Sequence, residues 1–171
     1  MSNYRRAYEP NGSYFFTVVT HRRQAWLSSI DNVRRLREAF MFVHTRRPFK
    51  LDAIVVLPDH LHCIWTMTRD PDFSIRWQMI KTHFSRFIPV STSSRGHKRV
   101  WQPRFWEHLI RDDRDYARHL DYIHFNPVKH GYVHRPCEWP HSSFGKFVRL
   151  GWYSRDWGST QPELIKGIDP E

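Results

Sequence analysis

The sequence is poor in cysteine, has no long apolar run and is short of acid. Its two cysteines, Cys63 and Cys137, cannot build a disulfide scaffold, and without a C-x-x-C pair no cysteine zinc centre is expected. No apolar stretch approaches the roughly 18 residues of a membrane span. The first residues, Met1-Ser2-Asn3-Tyr4-Arg5-Arg6, lack the apolar core of a signal peptide, so a cytoplasmic protein is expected. Neither an internal repeat nor a low-complexity segment is present, and no glycine–aromatic signature of an RNA-recognition domain is found. Seventeen acidic residues stand against 27 lysines and arginines, which leaves a net charge of +10 and a pI near 10.1. Such a field attracts polyanions, nucleic acid foremost.

What the chain has in quantity is aromatic surface: eight Trp, seven Tyr and twelve Phe. Most of these rings belong in a core, but aromatics interleaved with basic groups also suit a single strand with stackable bases. A length of 171 residues fits one domain. We expect that domain over 1–157, with 158–171 as a frayed acidic tail.

Periodicity predicts the elements. Ser13 to Thr20 is aromatic and β-branched and reads as a buried strand. Val33, Leu36, Phe40 and Val43 recur at helical spacing between Asp31 and Arg46. Lys50 to Leu57 and His60 to Met67 read as strands joined by a tight turn at Pro58-Asp59. A second helix runs from Ser74 to Ile88, on the stripe Trp77, Ile80, Phe84 and Phe87. Val90 to Arg99 reads as a mobile basic loop, and Arg104 to Ile110 as a fourth strand. A third helix starts at an aspartate cap, Asp112 or Asp113, and is expected to end or kink at Pro127. From Tyr132 onward the chain is expected to be irregular. The order predicts an α+β fold: a ferredoxin-like βαββαβ antiparallel sheet, with an extra C-terminal helix across its open face.

The chemistry centres on Pro58-Asp59-His60-Leu61-His62-Cys63-Ile64-Trp65. Alternation along a strand puts His60 and His62 on one face and Leu61, Cys63 and Trp65 on the other. Two imidazoles side by side are half of a metal site. On the third helix His119, Tyr122 and Asn126 share a face distinct from the stripe Tyr116, Leu120 and Ile123. Asn126 could add an oxygen ligand, giving a mixed N/O site suited to Mg²⁺ or Mn²⁺ with phosphate completing it. Tyr122, a phenol of ordinary pKa near 10, would be the nucleophile, helped by the metal or by Lys129 seven residues on. Each residue taken alone also fits a plainer role: packing for the histidines, an anchored ring for Tyr122, a helix end for Asn126.

In combination these stretches resemble a known family. Pro58 to Trp65 resembles the histidine–hydrophobic–histidine signature of the HUH single-strand nucleases. Asp121-Tyr122-Ile123-His124-Phe125-Asn126-Pro127-Val128-Lys129-His130-Gly131 resembles the tyrosine helix of the REP-associated tyrosine transposases. Tyr4-Arg5-Arg6, Phe15-Phe16-Thr17-Val18, Trp101 to His108 and Trp139-Pro140-His141-Ser142-Ser143 are similar to that family too. The resemblance implies that Tyr122 forms a 5′-phosphotyrosine link and leaves a free 3′-hydroxyl. It implies that His60, His62 and Asn126 hold the divalent metal. The implied substrate is a REP-type DNA hairpin with a tetranucleotide at its 5′ foot, handled by a monomer at the nucleoid. Arg5 and Arg6 are the candidates for reading that tetranucleotide, and Lys81, Arg104 and Lys129 are further candidates for DNA contact. Three rivals stand beside this expectation: a non-catalytic module that binds single-stranded nucleic acid, a metal-dependent hydrolase using activated water, and a zinc-stabilised structural domain.

Overall fold

The computed structural model describes residues 6, 8–94, 96, 98–168 and 170. Four strands form one sheet: β1 (Ser13–Val19), β2 (Lys50–Val56), β3 (His60–Thr66) and β4 (Trp106–Leu109). Their order is β2-β3-β1-β4, and every pairing is antiparallel. With α1 (Ile30–Arg46) and α2 (Phe73–Ser85) between the strands, this is the expected ferredoxin-like arrangement, with β1 and β3 central.

Alternation along the strands divides the interior in two. Tyr14, Phe16 and Val18 of β1 and Leu61, Cys63 and Trp65 of β3 face α1 and α2, and pack with Leu36, Phe40, Trp77 and Phe84. Trp65 and Trp77 stack there with ring centres 4.3 Å apart. Phe15 of β1, Ala53 and Val55 of β2 and Ile64 of β3 face the opposite way, against Leu120, Tyr122 and Ile123 of α3 (Asp113–Lys129). The third helix therefore covers the second face of the sheet.

Two expectations about this helix and the chain beyond it need correction. Pro127 does not end the helix, which continues to Lys129. Proline removes one donor, but the end is closed by other bonds: Gly131 N–H to Val128 O at 2.9 Å and Tyr132 N–H to Pro127 O at 3.0 Å. Gly131 sits at φ 71°, the left-handed conformation that this helix ending needs. Nor is the chain after Tyr132 wholly irregular. Helix α4 (Phe144–Arg149) forms, and Ile165 is buried against the α3 side, so the described tail is docked.

The stretch Trp139-Pro140-His141-Ser142-Ser143 acquires a role in this fold. Trp139 Nε1 donates to Val56 O at 3.0 Å, Val56 N to His141 O at 2.8 Å, and Ser143 N to Ile54 O at 2.8 Å. It lies along the outer edge of β2 and occupies backbone groups that an edge strand would otherwise leave exposed. Ser143 Oγ then bonds the buried His124 of α3 at 2.9 Å. One segment thus closes the sheet edge and grips the third helix.

Candidate active site

The hairpin turn builds the first half of the site. Leu57 N–H bonds His60 O at 2.8 Å, leaving Pro58 and Asp59 as the turn residues. His60 and His62 then project from β3 toward α3, with ring centres 5.0 Å apart. Their Nδ1 atoms are engaged: His60 with Asp59 Oδ1 at 2.6 Å, His62 with Thr17 Oγ1 at 2.9 Å. Nε2 is therefore the atom each ring can offer a metal, and both Nε2 atoms are buried. Burial acts to raise the pKa of Asp59, but the bonds from His60 and Arg23 outweigh it and hold the carboxyl below its usual range. An ionised Asp59 is the partner that fixes the orientation of a ligating imidazole.

The second half comes from α3. Its cap is Asp112, whose side chain accepts from Asp115 N at 2.8 Å. Tyr122 and Asn126, one turn apart, are both buried. The Tyr122 ring stands edge-on to His62, with centres 5.2 Å apart. Lys129 Nζ donates to Tyr122 Oη at 3.0 Å, because the helix continues past Pro127 and keeps these residues in register. Tyr122 and Lys129 border a pocket of about 350 Å³ that Gln161, Ile165 and Ile168 of the tail also line.

The donor set suits a divalent ion. Two imidazoles with engaged Nδ1 atoms and one amide oxygen, Asn126 Oδ1, also buried, are the mixed N/O donor types that Mg²⁺ or Mn²⁺ accepts alongside phosphate oxygens. His130 follows the helix and places its ring 5.0 Å from that of His60, a neighbour the sequence reading did not assign to the site.

The other basic candidates lie apart. Arg5 lies outside the described residues. Arg6 pairs with Glu107 at 3.2 Å, bonds Ser74 and sits over the Phe105 ring at 4.2 Å. Lys81 Nζ donates to Gln102 O at 2.9 Å, and burial together with nearby Arg6 pushes its pKa down to about 8. Arg104 is exposed.

A second cluster was not anticipated. His108 of β4 bonds Asp115 Oδ2 at 2.7 Å, and His119 Nδ1 lies 3.2 Å from Asp115 Oδ1. The sequence offered one signal, His119 on the face of Tyr122. The contribution of His108 from a distant strand had none.

Known proteins resemble this chain over different spans. The family model described as "Transposase IS200 like" matches residues 10–110, a span that holds the sheet and both histidines of β3 and stops before α3. The REP-associated tyrosine transposase of Escherichia coli (strain K12) is 45% identical over 168 residues, which cover 98% of this chain and 97% of that one. A solved structure of a REP-associated tyrosine transposase bound to a REP hairpin is 44% identical, with a TM-score of 0.81 and 99% of each chain covered. These two similarities extend over α3 and Tyr122.

Proposed function

The chain belongs to the IS200-like transposase family, among its REP-associated tyrosine transposases, and from that premise we propose that it is a metal-dependent nickase and strand transferase for single-stranded DNA. The observation that carries this reading is the placement of Tyr122: hydroxyl on Lys129, ring against His62, on the sheet face that bears His60.

Tyr122 Oη attacks the scissile phosphorus. The new bond is O–P to the tyrosine, and the bond to the 3′-oxygen breaks. The phenolic proton leaves and the departing 3′-oxygen gains one, so a 5′-phosphotyrosine and a free 3′-hydroxyl result. One phosphodiester replaces another, and rejoining by a second hydroxyl needs no external energy. Lys129 stabilises the phenolate through its bond to Oη. His60, His62 and Asn126 would hold Mg²⁺ or Mn²⁺, which when bound polarises the phosphate and offsets its developing charge. Asp59 and Thr17 orient the two rings for that duty.

The substrate proposed is a REP-type hairpin with a 5′ tetranucleotide, since the structural relative is bound to a REP hairpin. A net charge of +10 supports binding that weakens steeply with salt. Arg5 and Arg6 are proposed at the tetranucleotide, with Lys81 and Arg104 flanking the strand; Arg6 and Lys81 would have to exchange internal partners for phosphate. We propose a monomer with its site built in cis, over one catalytic domain of 1–157 with 158–171 as a tail, acting in the cytoplasm at the nucleoid. The rival binding module would need aromatics open on the central strands, and Phe15 is instead fully buried beneath α3.

Covalent trapping tests the reading. Wild type and Tyr122→Phe are incubated with labelled hairpin DNA, with Mg²⁺ or with chelator, and run on a denaturing gel. The expected result is a metal-dependent shifted band in wild type alone. Cleavage without an adduct, unchanged in Tyr122→Phe, would move the assignment to a water-activating hydrolase.

A further inference from the structure

We propose that His108, Asp115 and His119 form a second metal site, separate from His60, His62 and Asn126, that takes a transition dication such as Zn²⁺ or Co²⁺ and ties α3 to the sheet.

The three residues converge from two elements. His108 lies on the edge strand β4, opposite Phe15 of β1 in the register. Asp115 and His119 are one turn apart near the start of α3, so their side chains share a face. One candidate ligand atom from each residue lies within 4.8 Å of the others. The two rings stack at 4.6 Å with an interplanar angle of 19°, which presents both to one carboxylate. Spacings of 2.7 and 3.2 Å between the nitrogens and the carboxylate oxygens approach those between neighbouring ligands of one small ion. Two imidazoles and one carboxylate are the open three-ligand set of transition dications. Mg²⁺ and Ca²⁺ prefer oxygen throughout, which separates this site chemically from the first.

The protonation states agree. Burial opposes ionisation of Asp115, but bonds from His108 and Arg111 outweigh it and hold the carboxyl down to about 2. Burial likewise lowers the pKa of His119, in the direction of the neutral ring. Metal ligands must be in these states. Binding would displace some present bonds: Arg111 N and Nε on Asp115 Oδ2 at 3.0 and 3.3 Å, and His119 Nδ1 on Asp115 O at 2.8 Å. The Arg111 side chain is 71% exposed and can swing into solvent. A neutral imidazole needs only to shift its proton between nitrogens to offer a lone pair. Asp115 also borders an open cavity of about 490 Å³, with Arg111, Arg118 and Glu163, which brings solvent to the carboxylate side of the cluster.

The consequence falls on Tyr122. Asp115, His119, Tyr122 and Asn126 are all buried on α3, spaced by turns of the helix. An ion bridging β4 to the first two would set the rotation and height at which the other two meet β3.

The test is a Co²⁺ titration of the metal-stripped full chain, read by visible d–d absorption and by metal content after dialysis. Wild type is expected to bind two equivalents. His60→Ala/His62→Ala should keep one, which Zn²⁺ displaces and excess Mg²⁺ does not. His108→Gln, a partly exposed position, should lose that equivalent and keep the other. A folded His60→Ala/His62→Ala protein that binds no Co²⁺ would overturn the proposal. Should that variant not fold, wild type and His108→Gln decide: equal stoichiometry overturns it, and a loss of one equivalent supports it. DNA cleavage is not read here, so this proposal and the nickase assignment fail separately.

Discussion

The two faces of the sheet are made by the same strands and do opposite things. The face toward α1 and α2 is packed by Trp65, Trp77, Phe16 and Phe40, rings in edge or stacked contact with few polar groups among them. The face toward α3 buries His60, His62, Thr17, Asp115, His119 and Asn126 beside its apolar residues. Alternating side chains let one strand serve both: Leu61, Cys63 and Trp65 pack against α1 and α2, while His60 and His62 face α3 as the proposed metal ligands. The lesson is a division of labour. The apolar face contributes packing alone, and on the other face Thr17, His60, His62, Asp115 and His119 are held by hydrogen bonds on rigid elements.

Substitutions on the two faces should therefore separate folding from function. Tyr122→Phe is expected to abolish the covalent adduct yet shift the urea midpoint little, since it removes one hydroxyl bond worth about 1 kcal/mol. A large loss of stability would blur the division. Trp65→Ala should do the reverse, costing about 3–5 kcal/mol in urea unfolding. Next in size, Lys129→Met should slow single-turnover cleavage by about 10²-fold with hairpin affinity nearly kept, as for the loss of one stabilising donor. Equal losses in rate and affinity would make Lys129 a DNA contact instead. Asp59→Asn should weaken Mn²⁺ binding, measured by calorimetry, by about 10-fold or more through the orientation of His60.

A different kind of effect concerns charge on the apolar side. Lys81 of α2 has its pKa pushed down to about 8 by burial and by Arg6. The unfolded chain, with an ordinary lysine near 10.4, then binds more protons between these values. Stability contributed by this group should rise with pH from about 8 to about 10.4, and be flat below and above. Thermal melts of wild type and Lys81→Met across that window should differ in slope, with the variant flatter.

How much was legible in the chain varies by element. The β3 histidines and their hairpin were legible because strand alternation and a Pro-Asp turn are local. The ferredoxin-like order was legible for the same reason, since each element announces itself by period. Pro127 misled because its penalty is local while the compensation, the closure at Gly131 and Tyr132, lies beyond it. The role of Trp139 to Ser143 was hidden because pairing with the β2 edge joins residues more than eighty positions apart. Arg6 and Lys81 read as free cations, and only folding gave them Glu107 and Gln102 as partners.

By itself the sequence determined the elements, the antiparallel α+β class, the two imidazoles on one strand face and the tyrosine and amide on one helix face. Those follow from backbone periodicity and steric preference, which act over a few residues. Tertiary structure alone decided how α3 lies on the sheet. That placement brings Tyr122 against His62, and joins His108 to Asp115 and His119. Such meetings depend on docking one element on another, where a shift of one turn, about 5 Å, would separate every pair.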